Sequence, residues 1–378
     1  MIKIFYDGWS LVYQPNSPTA IHLLSLMAAH PPEFPAALGL PGEPFHSLPQ
    51  GFEILTSQTS DTEWGRLQWT QRVLPALANR AKADLIHLVG SSPALFGAGR
   101  TLVSPADFQG VGLPAEQIRQ PTSFATRLSQ ALAVGGLERK QALLWPDDLP
   151  IPEGEKSLHS LPPVVHPIFR IGARLASPTK TLQDELTSLD LPETYLLYHG
   201  PSDEATLHRL LDSWSWAAGS IGEYYPLVLV GLEGPAQDRL AALLAEYQLS
   251  GTARPLPALS LPALAAIYQG CSALFHPAEV SPWGDPARIA LACGKPLVGL
   301  ESARAAALSG PAGYLISTHE SYPATCRALG AALITVVVEE SVAEALSRNA
   351  QARSAAWQFE RFARRLREYY LAWSESIG

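Results

Sequence analysis

Cysteine, charge and long apolar runs are all scarce in this chain of 378 residues, and each scarcity narrows its function. The three cysteines, Cys271, Cys293 and Cys326, stand far apart with no paired-ligand spacing. That excludes a disulfide framework or a zinc knuckle and fits small buried hydrophobes in a reducing cytoplasm. Charged residues make up 16% and the net charge is −8, which argues against broad binding to nucleic acid or to an anionic membrane. The basic run from Arg361 to Arg367 reads as a solvated helix face. No apolar stretch reaches membrane-spanning length, and the opening MIKIFYDGWS reads as the start of a strand rather than a signal peptide. P-loop, G-x-S-x-G elbow and metal-ligand cluster are all missing. What is plentiful is apolar side chain, at 47%, enough for two domains with sizeable cores.

Strand and helix patterns alternate along both halves. Met1–Tyr6, Leu85–Val89, Arg100–Val103 and Gln141–Trp145 read as strands. Thr19–Ala29, Trp64–Ala81 and Ala125–Ala133 read as helices between them. Leu149–Leu191 is the least regular stretch and reads as an interdomain region. The alternation then restarts with strands at Tyr195–His199, Pro226–Val230, Ala273–His276, Leu297–Leu300 and Gly313–Ile316. Helices are expected at Thr206–Ala218, Pro235–Tyr247, Leu261–Gln269, Asp285–Cys293, Ser321–Thr335 and Ser341–Trp373. Such alternation predicts parallel, doubly wound sheets.

The segment His276–Gly299, HPAEVSPWGDPARIALACGKPLVG, is the most informative. It resembles the donor-site signature of family-4 (group 1) retaining glycosyltransferases of the GT-B fold, roughly P-S-x-x-E-G-W/F-G-L-P-x-x-E-A-x-A-C-G-x-P-V-V. Pro277, Trp283, Gly284, Pro286, Ala290, Ala292, Cys293, Gly294, Pro296 and Val298 stand at matching positions. Further stretches resemble the family in the same order: Gly65–His87, Thr101–Phe108, Pro162–Phe169, Tyr195–Trp214, Leu264–Pro277 and Gly310–Ile316. The resemblance implies an α/β GT-B architecture, with two Rossmann-like doubly wound domains facing a cleft. The expected divisions are an acceptor-side domain over 1–170, a nucleotide-sugar-side domain over 171–355, and a C-terminal helix over 356–378 that crosses back to the first domain.

The departures from the pattern fall on charged positions. Ser281 and Ile289 replace the two glutamates, Glu204 and Ala205 replace an Arg-Lys pair, and Ala106 stands where a histidine belongs. Asp107 matches the family aspartate, and Gly200 matches the glycine after the first strand of the second half. In the family the cationic pair neutralises a leaving diphosphate, because fixed positive charge and several donors suit that group. Glu204 would do the reverse. The resemblance implies Asp107 and Ser281 as catalytic candidates, and Gly200, Glu204, Pro282, Trp283, Gly284, Asp285 and Arg288 as donor-binding candidates. Asp285 has two readings: the helix start it occupies could face a diphosphate, or its carboxylate could cap that helix itself. Asp7, Trp9, His199 and His276 end or follow strands and are cleft candidates, with packing as the alternative. Glu279 joins them, since two residues inserted after it would bring it to the place of the first glutamate.

Two functions follow from the resemblance. One is hexosyl transfer from a nucleotide sugar to a glycan or lipid-linked acceptor, through a remodelled donor site and without metal or other cofactor. The other is a catalytically inactive homologue, binding a glycan or an active partner glycosyltransferase. The expected location is cytoplasmic, with peripheral attachment at the inner membrane face left open. No nucleic-acid partner and no transmembrane segment are expected.

Overall fold

The computed structural model describes residues 2–90, 94, 100–106, 132, 142–152, 158–171, 180–232, 235–318 and 320–377. Asp107 lies outside that set, as does all but one residue of the helix expected over Ala125–Ala133. The chain divides into two compact units. The first comprises Met1–Val164, Ser281–Gly284 and Gln358–Gly378; the second comprises Val165–Val280 and Asp285–Trp357.

In the first unit, β1 (Ile4–Asp7), β2 (Ala36–Leu40), β3 (Phe52–Thr56), β4 (Leu85–Val89), β5 (Arg100–Ser104), β6 (Ala142–Pro146) and β7 (Leu158–Leu161) form one parallel sheet. Its order is β3-β2-β1-β4-β5-β6-β7. The central strands are buried, apart from Arg100 at the start of β5, as parallel strands covered on both faces must be, whereas the edge strands β3 and β7 are largely exposed. The helices described here are α1 (Trp9–Tyr13), α2 (Pro18–Ala28), α3 (Glu63–Gln68) and α4 (Leu74–Arg80). The single helix expected over Trp64–Ala81 is therefore interrupted: Trp69–Val73 forms a π turn between α3 and α4. Such bulges are frequent at functional sites, and here the Trp69 indole at its start reaches Asp7 at the end of β1.

The second unit repeats the plan. Its strands are β8 (Leu196–His199), β9 (Leu227–Val230), β10 (Ala253–Pro255), β11 (Ala273–His276), β12 (Leu297–Leu300) and β13 (Gly313–Ile316), in the parallel order β10-β9-β8-β11-β12-β13. Its helices are α5 (Lys180–Leu189), α6 (Glu204–Ile221), α7 (Pro235–Glu246), α8 (Leu261–Gly270), α9 (Pro286–Ala292), α10 (Ala303–Ser309), α11 (Tyr322–Val338) and α12 (Glu340–Ser354). The core is a continuous apolar cluster in which Trp214, Leu210 and Leu211 of α6 meet Leu329 and Leu333 of α11. Gly330 permits that approach: a Cβ there would stand 2.7 Å from both the Ser213 carbonyl oxygen and the Trp216 Cβ. α13 (Phe359–Ile377) follows α12 but belongs to the first unit. The stretch expected to be helical over Ser341–Trp373 is two helices, parted where Trp357 is buried and close to the start of the separate C-terminal helix expected over 356–378.

Both sheets share one property that positions a site. The chain winds outward from β1 one way (β2, β3) and the other way (β4 onward), and likewise from β8. Each sheet therefore has a switch point, between β1 and β4 and between β8 and β11, where loops diverge at the carboxyl ends of the strands. Open α/β sheets bind ligands at that place.

Candidate functional site

At the switch point of the second unit, β8 ends in His199 and β11 in His276. The register pairs Leu197 with Leu274, so the two histidines lie level with each other on adjacent strands. Gly200 follows directly and is buried. His199 shares a hydrogen bond through Nδ1 with the Tyr268 hydroxyl at 2.6 Å. Burial first, then the neighbouring Cys293, Asp285 and Cys271, holds that phenol well above its ordinary range. His276 is 2% exposed, and neither of its ring nitrogens makes a hydrogen bond among the described residues. Its Nε2 lies 3.8 Å from Asp285 Oδ2.

Both helices that start near these strand ends are capped by carboxylates. Asp285 is fully buried and is the N-cap of α9, accepting a hydrogen bond from the Ala287 amide at 2.7 Å. Asp203 is the N-cap of α6, accepting from the Thr206 amide and the Thr206 hydroxyl, each at 2.7 Å. Glu204, exposed, begins that helix. A helix N-terminus presents unpaired amides to an anion; here each helix offers them a carboxylate of its own.

The cations at this end are placed by other contacts. Arg209, on α6, donates from Nη1 to the Pro277 carbonyl at 3.1 Å, just past β11. Arg288 is 1% exposed, and its guanidinium lies over the Trp357 ring, 4.9 Å from the centroid. Arg170 donates to the Trp357 carbonyl. Glu279 accepts from the Ser302 hydroxyl at 2.9 Å and lies beside Arg304, whose guanidinium burial holds below its ordinary value despite that carboxylate.

The remaining candidates lie in the first unit. Asp7, at the end of β1, accepts from the Trp9 amide at 3.1 Å and from the Trp69 indole at 2.8 Å. Trp9 packs on Trp69, and Arg66 covers its ring at 5.1 Å. Ser281 is half-buried, and Pro282 and Trp283 are buried. The Trp283 indole donates to the Leu144 carbonyl at 3.0 Å and stacks on His22, with centroids 4.9 Å apart and the rings 10° from parallel. Gly284 has φ +65°, and a Cβ there would stand 2.0 Å from the Pro18 carbonyl oxygen. Its glycine is required by backbone packing.

Thus His199, Gly200, His276 and Asp285 come together, whereas Asp7 and Trp9, and separately Ser281–Gly284, belong to the other unit. Sequence reasoning passed over Asp203, Arg209 and Tyr268. Asp203 carried a readable signal, an aspartate just ahead of an apolar-periodic helix. Arg209 and Tyr268 carried none, because one is a helical arginine and the other an apolar-face aromatic. Among the described residues no group of three His, Cys, Asp or Glu side chains could hold a metal ion, and no helix is long and apolar enough to cross a membrane.

No protein-family profile and no curated protein matches the chain. Solved structures do. Sucrose-phosphate synthase from Thermosynechococcus elongatus superposes with a TM-score of 0.69 at 16% identity, over 100% of both chains. WaaG, a glycosyltransferase involved in lipopolysaccharide biosynthesis, gives 0.69 at 15% identity, over 96% of this chain and 98% of that one. HepE of Anabaena in complex with UDP and glucose gives 0.66 at 16% identity, over 98% and 100%. At these identities the likeness is one of fold: two parallel α/β sheets in series, as in GT-B glycosyltransferases.

Proposed function

We propose that the chain is a GT-B glycosyltransferase of the family-4 type that takes a nucleotide sugar at the switch point of its second unit and transfers a hexosyl group to a glycan or lipid-linked acceptor. The observation that carries this reading is His276: a buried imidazole at the carboxyl end of β11, with no hydrogen bond of its own among the described residues. A buried polar group without a partner costs free energy unless a ligand supplies one. His199 and Gly200 end the adjacent strand at the same level. Structures of the same fold hold UDP or UDP-glucose. Arg288 of the second unit is retained as a proposed donor-site residue, and Asp107 and Ser281 as proposed catalytic residues, on the strength of the family resemblance alone.

A specific observation favours a second reading, a catalytically inactive homologue that binds a glycan or a partner transferase. Asp203 and Asp285 both occupy the helix starts that a diphosphate would use, and Glu204 adds a third negative charge. The first reading requires these charges to weaken nucleotide binding without abolishing it. Calorimetry with UDP, GDP, ADP and dTDP and their sugars separates the two. The expected outcome is micromolar binding of one nucleotide, tightened roughly fivefold by Asp203→Asn, which keeps the cap and removes a charge worth about 1 kcal/mol at such a site. Silence across all four nucleotides would leave the second reading.

A further inference from the structure

A chain of side-chain hydrogen bonds runs through the first unit, away from every candidate discussed so far except Trp283. His22 Nε2 lies 3.2 Å from Ser104 Oγ, which lies 2.8 Å from His87 Nε2. His87 Nδ1 is 2.7 Å from the Tyr370 hydroxyl, which is 3.0 Å from the Tyr6 hydroxyl. Tyr6 is 2.9 Å from His30 Nδ1, and His30 Nε2 is 2.8 Å from the Phe34 carbonyl oxygen. His22, Ser104, His87, Tyr370 and Tyr6 are buried, and His30 is half-buried. The residues come from α2, β5, β4, α13, β1 and the turn after α2.

The carbonyl at the end gives this chain a direction. A carbonyl oxygen only accepts, so His30 Nε2 carries a hydrogen. A neutral His30 then has a bare Nδ1, which takes the Tyr6 hydroxyl hydrogen. Each hydroxyl owns one hydrogen, so Tyr6 must accept from Tyr370, and Tyr370 must accept from His87 Nδ1–H. His87 Nε2 is therefore bare and takes the Ser104 hydrogen, and Ser104 accepts from His22 Nε2–H. All six donors point from His22 toward Phe34. Burial holds His30 below its ordinary range and pushes His87 down to about 3, so both rings are neutral at neutral pH, as this assignment requires.

We propose that this chain is a proton relay, which takes a proton at His22 Nδ1 and delivers the charge to His30. The steps balance. His22 gains a proton on Nδ1 and passes its Nε2 hydrogen to Ser104. Ser104 passes its own to His87 Nε2, and His87 passes its Nδ1 hydrogen to Tyr370. Tyr370 passes its hydrogen to Tyr6, and Tyr6 passes its own to His30 Nδ1. One proton has entered, every intermediate group is neutral again, and His30 is an imidazolium. The five bonds between His22 and His30 now point the other way, the bond from His30 Nε2–H to the Phe34 carbonyl keeps its direction, and His87 has changed from the Nδ1–H to the Nε2–H tautomer.

The two ends suit those roles. His30 lines a surface cavity of about 400 Å³ with Glu33, Arg364 and Arg367. Glu33 favours the His30 cation; Arg367 offsets part of that by pairing with Glu33. The other groups against His30 are Tyr6 of β1, Phe52 of β3 and Tyr370 of α13. At the inner end, His22 stacks on Trp283 of the Ser281–Gly284 segment. Transfer of a sugar to a hydroxyl frees one proton, and the relay is a path for one; that use rests on the function proposed above, whereas the relay itself does not.

The test is ring-nitrogen NMR on the full chain with labelled histidine, which reads which nitrogen of each ring carries hydrogen. The expected result is His87 as the Nδ1–H tautomer at neutral pH, changing to Nε2–H as His30 titrates. Tyr370→Phe and, independently, Tyr6→Phe interrupt the chain, so His30 still titrates but the His87 tautomer no longer follows. His87 in the Nε2–H form at neutral pH, or a His87 tautomer indifferent to His30 in the unaltered protein, would overturn the relay. So would a tautomer change that survives in either variant. The readout involves no nucleotide, so its failure is distinct from a failure to bind one.

Discussion

His87 shows how a single buried side chain ties stability to pH. It is fully buried, and burial, by disfavouring the imidazolium, pushes its folded form down to about 3. An unfolded histidine titrates near 6.5. Between those values the unfolded chain binds a proton that the folded chain does not, so stability is present above the unfolded value and is lost as pH falls. The slope is about 1.4 kcal/mol per pH unit. His87→Gln removes that contribution, so its urea midpoint should fall less steeply from about pH 6 to about pH 4 than that of the unaltered chain. Parallel slopes would refute the assignment. The sequence placed His87 within the strand Leu85–Val89, at the end of the Gly65–His87 stretch that resembles the family, and gave it no partner. Its partner Tyr370 is 283 positions away, and pairs at such separation leave no local pattern. Gly284 was legible as a glycine of the family pattern, but its physical reason, the Pro18 carbonyl, was not.

Among the elements, the central strands were readable because parallel strands covered on both faces are continuous apolar runs. Leu85–Val89, Ala273–His276 and Leu297–Leu300 stand where their patterns put them, and so does the half-buried edge strand Gly313–Ile316. β2 was not expected: Ala36–Leu40 is AALGL, short and without a β-branched residue, and only its place between β1 and β3 makes it a strand. β3 and β7 were hidden because edge strands are exposed and polar. The break between α12 and α13 has no proline or glycine to announce it. It is fixed instead by Trp357, which packs under Arg288 and whose carbonyl accepts from Arg170. Trp357→Ala should therefore cost about 3–5 kcal/mol in denaturant unfolding, the usual range for a buried tryptophan truncated to alanine. Trp357→Phe, which keeps a ring for Arg288, should recover much of that loss. Equal losses in the two variants would mean that the aromatic ring does not matter to the guanidinium.

For the whole molecule, alternation of strands and helices foretold two parallel sheets, and full-length likeness to GT-B structures agrees. What could not be read was which pieces of chain complete each sheet's core. The first unit draws on three separate stretches, and the last of them is α13. Phe362, Leu366 and Tyr370 of that helix are fully buried. Phe362 meets Trp283 edge-on, Tyr370 closes the hydrogen-bond chain to His87, and Arg361 pairs with Asp147. Burying three such side chains contributes roughly 5–9 kcal/mol. A whole domain has only about 5–15 kcal/mol to lose. The second unit keeps all its strands and the helices α5 to α12 without α13. A chain ending at Trp357 should therefore lose the first unit and keep the second. Limited proteolysis with peptide mapping checks this: in the shortened protein, cleavage should spread through the strands β1 to β6, while fragments covering β8 to β13 persist. Equal protection of both sets would show that the first unit's core does not depend on its last helix, and that the buried faces of Phe362, Leu366 and Tyr370 are replaceable by other parts of the chain.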